Sequence, residues 1–208
     1  MDRSWLKHVL TVLLVLVATM FVPDTVLPAG AREPRQYRRE FSFGFKESSQ
    51  VYFLLEYKVF RRRRPIWFIM PIERSPVYYD HRIFLYRYDT AEGRLEQLGL
   101  VRDEIPTQTN IKSSLFTREN GLVIFAYQAG WSRDQGLLYE LRGWDTARDR
   151  FADPGVEGGV RVSRESPAMQ KYFRDYVSPW WDNPGVITIT ELKTEVLKDV
   201  SEEDWGLP

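Results

Sequence analysis

The chain has no cysteine in its 208 residues. That one absence excludes disulfides, thiolate metal ligands, cysteine nucleophiles and lipid-modified cysteines. Histidine is almost as scarce, with only His8 and His81. Two histidines 73 residues apart in sequence do not make a histidine-rich metal motif. There is no excess of either charge: Lys+Arg 29 and Asp+Glu 29 leave a formal charge of zero, so steering toward nucleic acid is not expected. No Asn-x-Ser/Thr acceptor occurs at Asn110, Asn120 or Asn183. Nucleophile elbows, phosphate-binding glycine loops and HExxH motifs are missing as well. A small secreted eukaryotic domain usually leans on disulfides, so a bacterial envelope or secreted protein is the better expectation.

Long apolar runs are also few, and the one at the start is short. Arg3 and Lys7 precede the apolar stretch Val9 to Val22, and Ala29-Gly30-Ala31 then supplies small residues at an A-x-A-like site. The stretch holds 14 residues, short of the roughly 20 a spanning helix needs, and Pro23-Asp24 interrupts it. Residues 1–31 therefore read as a cleaved secretory signal, with a retained N-terminal anchor as the alternative because Val26 and Leu27 continue the apolar character. Residues 32–40 carry Arg32, Arg35, Arg38 and Arg39 and read as a solvated basic arm. A single domain is expected over 41–200, followed by an acidic tail over 201–208.

What the chain has in quantity is aromatic residues: 7 Trp, 11 Tyr and 12 Phe, a composition that favours strands. Phe41 to Phe45 alternates aromatic with small residues. In the run Val51 to Phe60, the side chains of Val51, Phe53, Leu55, Tyr57 and Val59 share one face, while Glu56 and Lys58 lie on the other. Arg61-Arg62-Arg63-Arg64-Pro65 breaks that run, and Ile66 to Met70 reads as the second strand of a hairpin tipped by four arginines. Further strands are expected at Ile83–Tyr88, Arg94–Val101, Ile111–Thr117, Leu122–Tyr127, Leu137–Leu141 and Val186–Leu192. Asn120-Gly121 marks a tight hairpin turn. One helix is specified by a Ser166 cap, Pro167 in its first turn, and Met169, Tyr172, Phe173, Tyr176 and Val177 at helical spacing. Residues 194–200 allow a short second helix.

Two segments echo each other. Ile83-Phe-Leu-Tyr-Arg-Tyr-Asp89-Thr-Ala and Leu138-Tyr-Glu-Leu-Arg-Gly-Trp-Asp145-Thr-Ala both run a strand into an aromatic-Asp-Thr-Ala turn. This resembles blade repeats of the β-propellers found in exported bacterial proteins, over about two blades. A closed ring needs about four blades of about 40–50 residues, more than the chain can supply. The expected fold is therefore mainly β: antiparallel hairpins in a sandwich-like or incomplete-propeller-like arrangement, with one helix in the last third.

Chemistry-bearing residues are sparse. His81 beside Asp80 is a candidate general base, although its place at a strand start is explained equally well by structure. Asp89 and Asp145 read as turn formers first. The sharpest local feature is the run Arg61, Arg62, Arg63 and Arg64, a dense positive field suited to phosphate or carboxylate groups, or else a solvated turn that discourages edge pairing. Trp131, Trp144, Trp180 and Trp181 fall near turns, where buried tryptophans cap a core and exposed ones stack on sugars or anchor partners. The expectation is an exported, non-catalytic binding module for an envelope protein or an anionic lipid or polymer surface. Its contacts would come from Arg61–Arg64, Trp180 and Trp181, with no metal, cofactor or nucleic acid. The alternatives are a carbohydrate-binding module or glycan-active enzyme, and a homo-oligomeric subunit of a larger β assembly.

Overall fold

The computed structural model describes residues 35–61, 76–103, 109–154, 161–173 and 185–207. Residues 1–31 expected to be a signal, Arg32, Arg62–Arg64, the strand expected at Ile66–Met70 and Trp180-Trp181 lie outside these residues. In chain order the strands are β1 Gln36–Phe41, β2 Gly44–Glu47, β3 Gln50–Arg61, β4 Val77–Asp89, β5 Arg94–Arg102, β6 Asn110–Glu119, β7 Leu122–Ser132, β8 Gly136–Asp145, β9 Arg150–Ala152 and β10 Arg161–Ser163. Helix α1 (Pro167–Phe173), strand β11 (Val186–Ile187) and the short helix α2 (Ile189–Glu191) complete the set. The fold is mainly β, in two antiparallel sheets, as the alternation of aromatic and polar residues leads one to expect.

Two compact units divide the chain. The larger comprises Arg38–Lys58 and Asp80–Pro208. The described part of the smaller is residues 35–37, 59–61 and 76–79. Strands β3 and β4 run through both. One sheet has the order β11-β2-β3-β4-β5 with β1 also on β3, and the other β10-β8-β7-β6 with β9 also on β8.

Within the larger unit the two sheets pack face to face. Tyr52, Leu54, Ile83, Leu85 and Val101 of the first meet Phe116, Val123, Phe125, Tyr127 and Trp144 of the second in one buried cluster. These are alternate residues along each strand, so the period-2 pattern selects the face that enters the core. Close approach of the sheets needs Gly99 on β5, where a Cβ would sit 2.7 Å from the Phe151 ring. The far face of the second sheet is covered by α1 and β10, through Met169, Phe173 and Val162 against Leu115, Ile124, Ala126 and Leu141. On the first sheet, Trp205 sets its edge against Phe41, Phe53 and Tyr86 at 5.5, 6.4 and 5.6 Å.

Both sheets close their hairpins with one device. Asp89 Oδ1 accepts from the N–H groups of Ala91 and Glu92, and Asp145 Oδ1 from those of Ala147 and Arg148. The following threonines also match. Thr90 donates its N–H and Oγ1 to the Ser49 carbonyl, and Thr146 donates both to that of Gly121. Each acceptor lies in the two-residue turn that opens its sheet, and Ser48 and Asn120 take the left-handed backbone there with φ of 55° and 51°.

Several local expectations are corrected. The basic arm is in part a strand: Arg38 and Arg39 belong to β1, which is paired with β3. The Phe41–Phe45 run is two strands rather than one, because Ser42 turns inward and its Oγ accepts from the Leu54 N–H at 2.8 Å. The strand expected over Val186–Leu192 stops at Ile187. Thr188 and Glu191 instead form a reciprocal capping box that starts α2, and a single π-type turn follows over Leu192–Val196. The tail is not loose: Glu203–Trp205 makes a short helical turn that buries Trp205.

Candidate functional site

Two groups of side chains stand out, one exposed and one buried. The exposed group belongs to the smaller unit. Tyr37, Tyr78 and Tyr79 are 66, 38 and 44 % exposed. Tyr78 and Tyr79 are consecutive in β4 and so point to opposite faces, yet both reach solvent. The Arg35 guanidinium lies over the Tyr79 ring at 4.3 Å, and Phe60 packs on Tyr78 at 6.0 Å. Arg61, the first of the four-arginine run, ends β3 in this unit. Among the described residues here there are two arginines and no carboxylate.

The buried group lies where β1, β3 and β4 run side by side in the larger unit. Glu56 is only 1 % exposed. Its Oε1 meets His81 Nε2 at 2.6 Å, and its Oε2 meets Lys58 Nζ at 2.9 Å. Lys58 also donates to Glu40 Oε2 at 2.9 Å, and Glu40 Oε1 takes Arg38 and Lys112 at 2.8 and 3.4 Å. Burial raises the Glu40 pKa, but the hydrogen bond and charge of Lys58, with help from Lys112, outweigh it and lower the value to about 2. Burial likewise works against the Lys58 ammonium, and its hydrogen bonds to Glu56 and Glu40 reverse the balance, so its pKa is raised.

A second carboxylate ties the sheets together. Glu140 on β8 accepts from Arg102 of β5 at 3.2 Å and from Arg142 Nε at 2.7 Å. The buried Tyr127 hydroxyl faces this group; its pKa is pushed up by burial and then by the Glu140 charge. Arg102 stands opposite Ile83 in the β4–β5 register, and His81 lies two residues along on the same face.

A carboxylate that orients an imidazole is half of a general-base device. Here the other carboxylate oxygen is taken by Lys58 and the imidazole is 8 % exposed, so the Glu56–His81 contact is a buried hydrogen bond within the sheet. Asp80, the partner suggested by the sequence, binds Arg82 instead. Among the described residues no three His, Asp or Glu side chains gather as metal ligands. No described helix is long and apolar enough to cross a membrane.

Of the residues singled out from sequence, Arg61 is described and Arg62, Arg63, Arg64, Trp180 and Trp181 are not. Trp144 is buried against Phe151 at 5.0 Å, edge to face, whereas Trp131 is 56 % exposed on β7. Arg38 and Arg39 pair with Glu40 and Glu202. Sequence reasoning missed the tyrosines. The signal was there: no strand parity buries both members of Tyr78-Tyr79 on one face. It also missed Glu56 and Lys58, two opposite charges on alternate positions of an otherwise apolar strand. Comparison with protein-family models, with characterised proteins and with solved structures finds no match.

Proposed function

We propose that this protein is an exported, non-catalytic binding module of a bacterial envelope, which engages a protein partner or an anionic surface through the arginine- and tyrosine-bearing end of the β3–β4 pair. The observation that carries this reading is the exposed set Tyr37, Tyr78 and Tyr79 with Arg35 stacked on one ring and Arg61 at the strand end. Tyrosine and arginine are the side chains most often found to dominate contact energies, since each couples a large apolar body to directional donors. The leader-like residues 1–31 support export. The ion pairs of Glu56 with Lys58 and of Glu140 with Arg102 support a structural use of these buried carboxylates among the described residues. The matched Asp-Thr turns support a blade-like repeat as the origin of the two sheets.

In-cell cross-linking of a C-terminally tagged protein, with mass spectrometry of the products, tests the reading. One reproducible envelope partner, lost on Tyr78→Ser/Tyr79→Ser, is the expected result. Free protein in the soluble exported fraction with no adduct argues against it. The exposed Trp131 favours a second reading, glycan stacking. Salt-insensitive quenching of tryptophan fluorescence by an oligosaccharide, absent in Trp131→Ala, would establish that alternative.

A further inference from the structure

We infer that the tip of the β7–β8 hairpin is a stacking site for a neutral pyranose chain, with one sugar ring laid on Trp131. The inference rests on the glycan reading given above for Trp131; it names the ligand class and the device that presents the indole. That device is a bulge. Between Gln128 and Gly130 strand β7 advances two residues while β8 advances one, from Tyr139 to Leu138. Val123, Phe125, Tyr127 and Ala129 belong to the inter-sheet core, and strict alternation would keep Trp131 on that same face. The extra residue reverses the alternation. It sets Trp131 opposite Leu137, on the face that Tyr139 and Leu141 share with α1. There Leu137 packs on the cluster beneath α1, whereas Trp131 is 56 % exposed.

The surroundings of the indole suit a sugar. Among the described residues, Trp131 is the one exposed large apolar side chain of the second sheet. A single ring falls far short of the roughly 800 Å² per partner that a stable protein interface buries, and it matches one pyranose. A pyranose with equatorial hydroxyls carries axial C–H groups on its faces, which pack on an indole, and hydroxyls around its rim, which need polar partners. Arg133, Asp134 and Gln135 are exposed beside the ring and can supply them. Arg133 and Asp134 are adjacent and opposite in charge, so the tip has no net charge with which to recruit an acidic polymer. The turn is held in shape by Ser132 Oγ, which accepts from the Asp134 N–H at 3.3 Å, and by Gly136 at φ of 68°. Cβ atoms placed on Gly130 or Gly136 would meet nothing within 4 Å among the described residues, which leaves room around the tip.

The test uses the full chain recovered from an exporting host with nitrogen-15 in its tryptophans, and Trp131→Phe assigns the Trp131 indole resonance. Cellohexaose is expected to shift that resonance saturably, and equally at about 50 mM and about 500 mM salt. Calorimetric titration of Trp131→Ala with the same hexamer is expected to show affinity weakened about tenfold. Deletion of Ala129 removes the bulge and returns Trp131 to the other face of the hairpin, so the shift should be lost. If urea denaturation shows that this variant does not fold, Trp131→Ser/Ser132→Trp makes the same change of face without altering chain length. A shift given only by the corresponding hexamer of glucuronic acid, and abolished at the higher salt, would leave the glycan reading standing and overturn the neutral assignment. A folded bulge or exchange variant that binds as wild type does would overturn the part given to the bulge. No shift with either hexamer removes the glycan reading together with the inference.

Discussion

His81 Nε2 lies 2.6 Å from Glu56 Oε1 inside the first sheet, while Asp80, its neighbour in sequence, turns to the other face and pairs with Arg82. Glu56 is buried and holds both His81 and Lys58, so its removal takes the Oε1 contact from His81 and leaves Lys58 with Glu40. Glu56→Leu is therefore expected to cost about 3–5 kcal/mol. In Glu56→Leu/His81→Leu part of that loss returns, because the buried imidazole that has lost its Glu56 hydrogen bond is gone. Urea denaturation of the three proteins checks both statements. A Glu56→Leu protein as stable as wild type would show that the pair contributes nothing.

Glu40 gives the fold a specific acid lability. Its pKa is lowered to about 2 in the folded protein, against 4.5 for an ordinary glutamate, chiefly because Lys58 outweighs the cost of burial. Above pH of about 4.5 the carboxylate is charged in both states, and its full contribution, on the order of 2–3 kcal/mol, is present. As the pH falls, the unfolded chain takes up the proton first, and the contribution disappears by the time the folded pKa is reached. Wild-type urea midpoints should drop between about pH 5 and pH 2, and those of Glu40→Gln should drop less. Equal slopes in the two proteins would place the acid lability elsewhere.

The sheet architecture was legible because one side-chain period explains it. Aromatic-small alternation, the Asn120-Gly121 turn and the Asp-Thr-Ala echo each lie within a few residues of one another, and each is a local property. The helix α1 was legible for the same reason, from Ser166 and Pro167 to Met169 and Phe173. What was not legible depends on contacts between distant residues. Trp205 looks like part of a polar tail until Phe41, Phe53 and Tyr86 are brought beneath it. Ser42 breaks a strand pattern only because Leu54 N–H is waiting for its hydroxyl. At the candidate site the arginine run announced itself in sequence, whereas Arg35 and Tyr79 are 44 residues apart and meet only in the fold.

Asp89 and Asp145 perform one task in two sheets, each accepting two backbone N–H groups within its own turn. Asp89→Ala and Asp145→Ala are expected to lower the melting temperature by similar amounts, roughly a few degrees each. The sites share no partner, so the double variant should show the sum. Asn restores much of each loss, since its side-chain oxygen accepts the same bonds. A differential scanning measurement in which one aspartate matters and the other does not would break the equivalence of the two turns.

The C-terminal residues are the last piece of the core rather than an appendage. Tyr86 donates its hydroxyl to the Trp205 carbonyl at 2.7 Å, and burial raises the pKa of that hydroxyl, so it remains a donor. The Trp205 ring meets three aromatic rings edge on, and Arg39 lies over it at 5.4 Å. Trp205→Ala is expected to cost about 3–5 kcal/mol, the range for emptying a large aromatic site. Tyr86→Phe removes one hydroxyl and leaves the ring packing, so about 1 kcal/mol is expected. The two residues touch, and the double variant should lose less than the sum. Truncation after Val200 should match Trp205→Ala. A truncated chain with the wild-type urea midpoint would mean that the tail rests on the sheet without stabilising it.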